Sequence, residues 1–164
     1  MKLKQATYAI IIALVSMFVI SCDPGDQEIK ELNRKDGIWT IEHDHFEYYD
    51  STGANVIADT SLDNIGEFVF FKSPTLDALY AGYLVVANLK DANGNISSYP
   101  GNIYFDGKRV FMQEDPDVNH SFPNQFEGVW TVETDKHSKQ DWVRYTMNSN
   151  GALYQKETIS MKKK

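Results

Sequence analysis

From Gly37 onward the apolar side chains come in short runs rich in Val, Ile, Thr, Phe, Tyr and Trp, broken by Asn, Asp and Gly, with no long 3.6-residue period. β-Branched and aromatic residues suit a pleated, half-buried surface, and Asn, Asp and Gly tolerate the positive φ of tight turns, so the pattern predicts strands. They fall near 38–49, 55–59, 66–72, 80–90, 95–105, 109–114, 128–135, 141–147 and 152–161. Turns follow at Ser51-Thr52-Gly53, Asp91-Ala92-Asn93-Gly94-Asn95, Asp106-Gly107 and Asn148-Ser149-Asn150-Gly151. Asp106-Gly107, between Tyr104-Phe105 and Arg109-Val110-Phe111, is the sharpest hairpin signal. Asp115-Pro116-Asp117 ends the next strand, because proline cannot donate to a ladder. Short strands with one apolar face each must bury those faces together, in a sandwich or a barrel. The pattern accommodates both.

The N-terminus reads differently. Met-Lys-Leu-Lys is followed by an uncharged run from Ala6 to Ile20 and then Ser21-Cys22. A charged start, an apolar stretch short of a full span and a small residue before a cut predict that residues 1–21 are a signal helix, the alternative being an uncleaved anchor. Val19-Ile20-Ser21-Cys22 resembles the lipobox of bacterial lipoproteins, which implies cleavage before Cys22 and a diacylglycerol on its sulfur. Two or three acyl chains hold a protein firmly where one holds it only marginally. Membrane lipid is thus an expected partner through Cys22, and as Cys22 is the only cysteine, the mature domain is stabilised by burial without disulfides. Residues 22–36 are polar and acid-rich and are expected to act as a tether, leaving 37–164 as one domain. Acidic stretches after the cysteine resemble those of surface lipoproteins of Bacteroidetes, whereas Asp23 directly after it resembles an inner-membrane retention signal of enteric bacteria. The Tyr-, Asn- and Asp-rich style of the chain favours the former, hence the outer membrane, on its periplasmic or surface face.

Charge narrows the partners. The chain carries 16 Lys and Arg against 23 Asp and Glu, a net of −7, and the leader takes away Lys2 and Lys4 but no acid. Nucleic acid is therefore not expected, since phosphate binding rests on clustered cations. Lys162-Lys163-Lys164 reads as a frayed, solvated end, the alternative being a contact with anionic lipid.

One internal repeat is visible. Asp36-Gly-Ile-Trp-Thr-Ile-Glu42 and Glu127-Gly-Val-Trp-Thr-Val-Glu133 match at Gly, Trp, Thr and Glu, and each starts a strand. They read equally as a duplicated unit or as two strands sharing good strand residues. Gly37-Ile38-Trp39 resembles the Gly-x-Trp signature of the first lipocalin strand. That resemblance implies an antiparallel up-and-down β-barrel, lipocalin-like, whose Trp closes one end and whose interior binds a small apolar or sugar ligand. Aromatic candidates to line it are Trp39, Phe68, Phe70, Tyr83, Phe105, Trp130 and Trp142. The competing role for the same side chains is plain core.

Other chemistry is sparse. Strand alternation puts Trp39, Ile41 and His43 on one face. His43 and His45 could share a metal, but two ligands are too few and nothing places His120 or His137 beside them, so no metal site is expected. Asp91–Asn95 lacks the closing Glu of a calcium loop and reads as a hairpin turn. There is no nucleophile elbow, no His-Glu-x-x-His pair and no phosphate loop, and the acid pair Asp115 and Asp117 is ordinary in an acidic chain. The sequence thus predicts no catalytic residues, no cofactor and no enzyme. It leaves a tethered small-ligand binder or, alternatively, a structural module that docks on another envelope protein.

Overall fold

A computed structural model describes residues 31–72, 83–114 and 122–164. The signal helix, Cys22, the first part of the tether, and Asp115, Asp117 and His120 lie outside the described residues.

Eight strands follow one another: β1 (Ile38–Tyr49), β2 (Val56–Lys72), β3 (Tyr83–Lys90), β4 (Ile96–Asp106), β5 (Arg109–Glu114), β6 (Gly128–Lys136), β7 (Lys139–Met147) and β8 (Leu153–Lys163). Each pairs antiparallel with the next, and β1 pairs with β8, so the sheet closes as an up-and-down barrel and the sandwich is excluded. Closure leaves no bare edge. The Asp-led turns form as their chemistry predicts. The Asp50 carboxylate accepts from Thr52 Oγ1 (2.6 Å) and Asn55 Nδ2 (2.7 Å), and from the amides of Ala54 (3.2 Å) and Thr52 (3.1 Å), which holds it well below the usual carboxylate range. Asp91 likewise accepts from the backbone of Asn93 and Asn95, both at 2.8 Å, so its oxygens build a hairpin turn.

Three expectations change. The strands predicted at 55–59 and 66–72 are one strand of 17 residues. The break left between those two runs is bridged by a β-bulge: Asn64 has φ 51, and the register slips opposite Ile41 and His43. Gly66 lets β3 approach closely, since a Cβ there would sit 2.1 Å from the Asn88 carbonyl oxygen. Second, residues 31–36, read as the end of the tether, pack on the barrel. Leu32 is 1% exposed, and its carbonyl accepts the Trp39 indole N–H at 3.0 Å. Third, the C-terminal lysines are not frayed. Lys163 lies in β8 with its ammonium 4.9 Å from the centre of the Trp39 ring, and the Lys164 N–H donates to the Ile38 carbonyl at 3.1 Å. A lone apolar Leu32 and a lysine stem over an aromatic face gain more by burial than by solvation.

Because neighbouring strands alternate in direction, the start of β1, the β6–β7 turn and the end of β8 gather at one end, beside residues 31–37, where the expected tether would join. The starts of β6 and β8 and the ends of β3 and β5 lie at the other. We call these the tether end and the far end.

Candidate functional site

The aromatic candidates come together as core. Trp39, Trp130, Trp142 and Phe68 are 0% exposed and Phe70 is 2%. Phe68 lies 5.8 Å from Phe70, 6.5 Å from Trp142 and 5.1 Å from Phe126, and Phe105, partly buried, meets Trp142 edge-on at 6.2 Å. Tyr83 opens β3, but its side chain is outside the description. Phe68, Phe70, Phe105 and Trp142 thus pack ring against ring, as suits a domain stabilised by burial.

The repeat has a structural counterpart. Trp39 opens β1 at the tether end and Trp130 sits near the start of β6 at the far end. Each follows a glycine with positive φ (67° at Gly37, 113° at Gly128). Each indole N–H donates to a carbonyl upstream, Leu32 for Trp39 and Phe126 (2.9 Å) for Trp130. Each ring lies under a cation, Lys163 at 4.9 Å and Arg144 at 4.4 Å. The Trp130 copy fixes a plug. Residues 122–127 fold back into the barrel mouth, burying Phe122 and Phe126 to 1% and 0% exposure. Arg144 clamps this segment through Nη1 to the Glu127 carbonyl (2.6 Å) and Nη2 to the Gln125 carbonyl (2.7 Å).

Beneath the plug lies a polar layer that strand alternation did not place. The register shift between Ile41 and His43 reverses the alternation, so Asp44 shares the inner face with Trp39 and Ile41, and His43 points outward. His43 Nδ1 bonds Asp63 Oδ1 at 2.6 Å, and no group of three metal-ligating side chains forms among the described residues. Asp44 is 0% and Glu157 1% exposed. Glu157 pairs with Arg144, whose Nε donates to Oε2 at 3.1 Å. Apart from each other, both oxygens of Asp44 and Oε1 of Glu157 have no hydrogen-bond partner. Burial pushes the Asp44 carboxyl up to about 7, the Glu157 charge adds to this, and Arg144 opposes it. Burial also raises Glu157, against the pull of Arg144. The pair is thus suited to sharing one proton.

Beside this layer the mouth opens into a pocket of about 320 Å³ lined by Leu62, Ile65, Leu89, Ser97, Tyr99 and Gln125, with Lys90 and Asp91 at its edge. Leu62 faces Asp44 across the β1–β2 ladder, and Leu89 and Tyr99 continue the inward alternation of Val85-Ala87 and Gly101-Ile103. Ile65, Leu89 and Tyr99 pack against the core, so the pocket floor is the top of the core itself. Sequence reasoning missed it because Leu62 and Ile65 fall between the two predicted strands, and Gln125 arrives on a loop. The alternation through Val85-Ala87-Leu89 was the available signal.

On the outer wall, Tyr104, Phe111 and Val129 stand in direct register across β4, β5 and β6. Tyr104 and Phe111 stack at 4.5 Å, and Tyr104 and Val129 are 41% and 46% exposed. With Gln113, Asn124 and Glu127 they flank an open groove of about 470 Å³.

Neither a known protein family nor a curated protein matches the chain. Among solved structures it is similar to a lipocalin-like protein from Bacteroides uniformis, with a TM-score of 0.45 and 14% identity over 77% of this chain and 96% of the other.

Proposed function

We propose that the protein is a non-catalytic binding barrel, carried at the outer membrane by lipid on Cys22, that takes a small half-apolar ligand such as a sugar or an amphiphile at its far-end mouth. The mouth pocket carries the reading. It joins an apolar floor of Leu62, Ile65 and Leu89 to the Tyr99 ring and to the polar groups of Ser97 and Gln125, within the size range of small-ligand sites. An aromatic face beside hydrogen-bonding groups suits a sugar ring or the neck of an amphiphile. The aromatics first expected to line a calyx serve instead as the packed floor beneath it.

Native mass spectrometry of the delipidated protein tests this. A co-purifying small molecule should be present in the parent and lost or weakened at least tenfold in Tyr99→Ala, the scale of about 1.4 kcal/mol. An empty parent, or a ligand held equally by the variant, would sink the assignment. The anchor is tested separately. Cys22→Ala should abolish lipid labelling and leave an unprocessed precursor, and a variant still cut and membrane-bound would refute the lipoprotein reading.

A second reading is docking on another envelope protein, favoured by the Tyr104, Phe111 and Val129 stripe, since apolar side chains aligned in register on an outer wall are unusual without a partner. A photocrosslinker at Phe111 in cells should then trap one discrete protein. A featureless smear would count against it.

A further inference from the structure

We propose that the cleft at the tether end is a seat for the phosphate-bearing headgroups of the membrane, so that the barrel stands upright with its mouth turned away from the bilayer. The cleft measures about 420 Å³ and is lined by Arg34, His137, Ser138, Lys163 and Lys164, with no Asp or Glu side chain among the lining residues. These groups come from three places in the chain: the segment before β1, the β6–β7 turn and the end of β8. The fold holds them together. The Lys163 N–H donates to the Ser138 carbonyl at 3.0 Å, and His137 Nδ1 bonds Glu31 Oε2 at 2.8 Å.

The Lys163 ammonium donates to the Glu31 carbonyl at 2.5 Å. Glu31 lies 3.8 Å from Arg34, and Glu67 pairs with Lys164. Lys136 and Lys162 stand exposed beside them. The far end differs in sign, with Glu47, Asp50, Asp91, Glu114 and Glu127 against Lys90 and Lys156. An anionic surface would repel that end and accept the tether end.

Geometry supplies the second argument, and in placing the cleft on a bilayer it rests on the tether proposed above. Residues 22–30 span at most about 30 Å when extended. A lipid on Cys22 would therefore keep Glu31, and the cleft beside it, within about 30 Å of the bilayer surface. The tether brings the cleft near, and a membrane phosphate then replaces solvent between Arg34 and Lys164. A bivalent attachment of this kind gains from the high effective concentration of the second contact.

The test uses residues 23–164, which contain the whole closed barrel and lack the lipid, so its outcome is independent of the Cys22 experiment. Vesicles of pure phosphatidylcholine are compared with vesicles holding about a third phosphatidylglycerol, at low and near-physiological salt, by co-sedimentation. Binding should appear with the anionic vesicles, weaken with salt, and fall about 25-fold in Arg34→Gln/Lys164→Gln, at about fivefold per cation near a charged surface. Lys90→Gln at the far end should bind as the parent does. Thermal melts confirm that each variant is folded. Equal binding to both vesicle types, or anionic binding that the double variant leaves intact, would overturn the proposal. So would millimolar binding of inorganic phosphate to the cleft, by calorimetric titration, in a protein that ignores anionic vesicles, for then the cleft is a site for a free anion.

Discussion

The bulge between Ile41 and His43 decides which single side chain enters the interior, and the choice of Asp44 has a measurable consequence. Its carboxyl lies at about 7 in the fold against an ordinary 3.8. Between those values the folded state holds a proton that the unfolded chain releases. The stability this contributes is complete below the lower value and is lost as pH rises towards about 7. The surface acids Asp63, Glu67 and Asp91 are shifted down, so their contribution is present above the ordinary carboxylate range and lost in acid. Denaturant midpoints should therefore fall between pH 5 and 7.5 in the parent and stay nearly level in Asp44→Asn, which becomes the more stable protein at pH 8. A parent that gains stability across that interval would contradict the buried protonated pair. Arg144 acts in the same layer. Arg144→Met leaves Glu157 buried without its counter-charge and frees the plug carbonyls, at a cost of about 3–5 kcal/mol. Adding Glu157→Gln should return part of that loss, because an amide needs no counter-ion.

At the scale of elements, the sequence was most legible where turn chemistry is unambiguous. The hairpin at Asp106-Gly107, the Asp91 turn and β1 from Ile38 to Tyr49 stand where composition and alternation put them. Legibility failed where the same residues have two uses. Residues 60–65, with Ser61, Asp63 and Asn64, break the strand pattern when read locally, and only the pairing partner reveals a bulge within β2. The error propagated: a strand thought to end before Leu62 cannot supply a wall to the mouth pocket, and an unbulged β1 puts His43, not Asp44, inside. Leu32 and Phe126 were illegible for another reason, since a single apolar residue in a polar stretch has no period to betray its burial. Gly66 offers a direct test. Gly66→Ala must move the Asn88 carbonyl away from 2.1 Å, so it should cost at least about 2 kcal/mol and loosen amide protection on β3 more than on β7. A variant as stable as the parent would mean that the bulge does not need the close approach.

The whole molecule is a barrel stopped at both ends by related devices, with a filled lower half and a pocket confined to the mouth. The cation-bearing cleft and the acidic far end give it a direction, and the chain enters at the cationic end. Of the seven aromatic residues singled out from sequence, Trp39, Phe68, Phe70, Trp130 and Trp142 are buried core and Phe105 packs against it, while a large ring signals burial without saying whether its neighbour is another ring or a ligand.

The closing ladder between β1 and β8 carries a consequence for how the chain reaches this state. Every other ladder joins strands adjacent in sequence, so only this one must bridge the full length of the domain, and it pays the largest loop-closure entropy. Until β8 is in place, β1 and β7 each present a row of unpaired amides and carbonyls, with Trp39 and Trp142 on their inner faces open to water. A chain interrupted before Leu153 is thus a curved sheet with two sticky borders, prone to recruit further copies of itself.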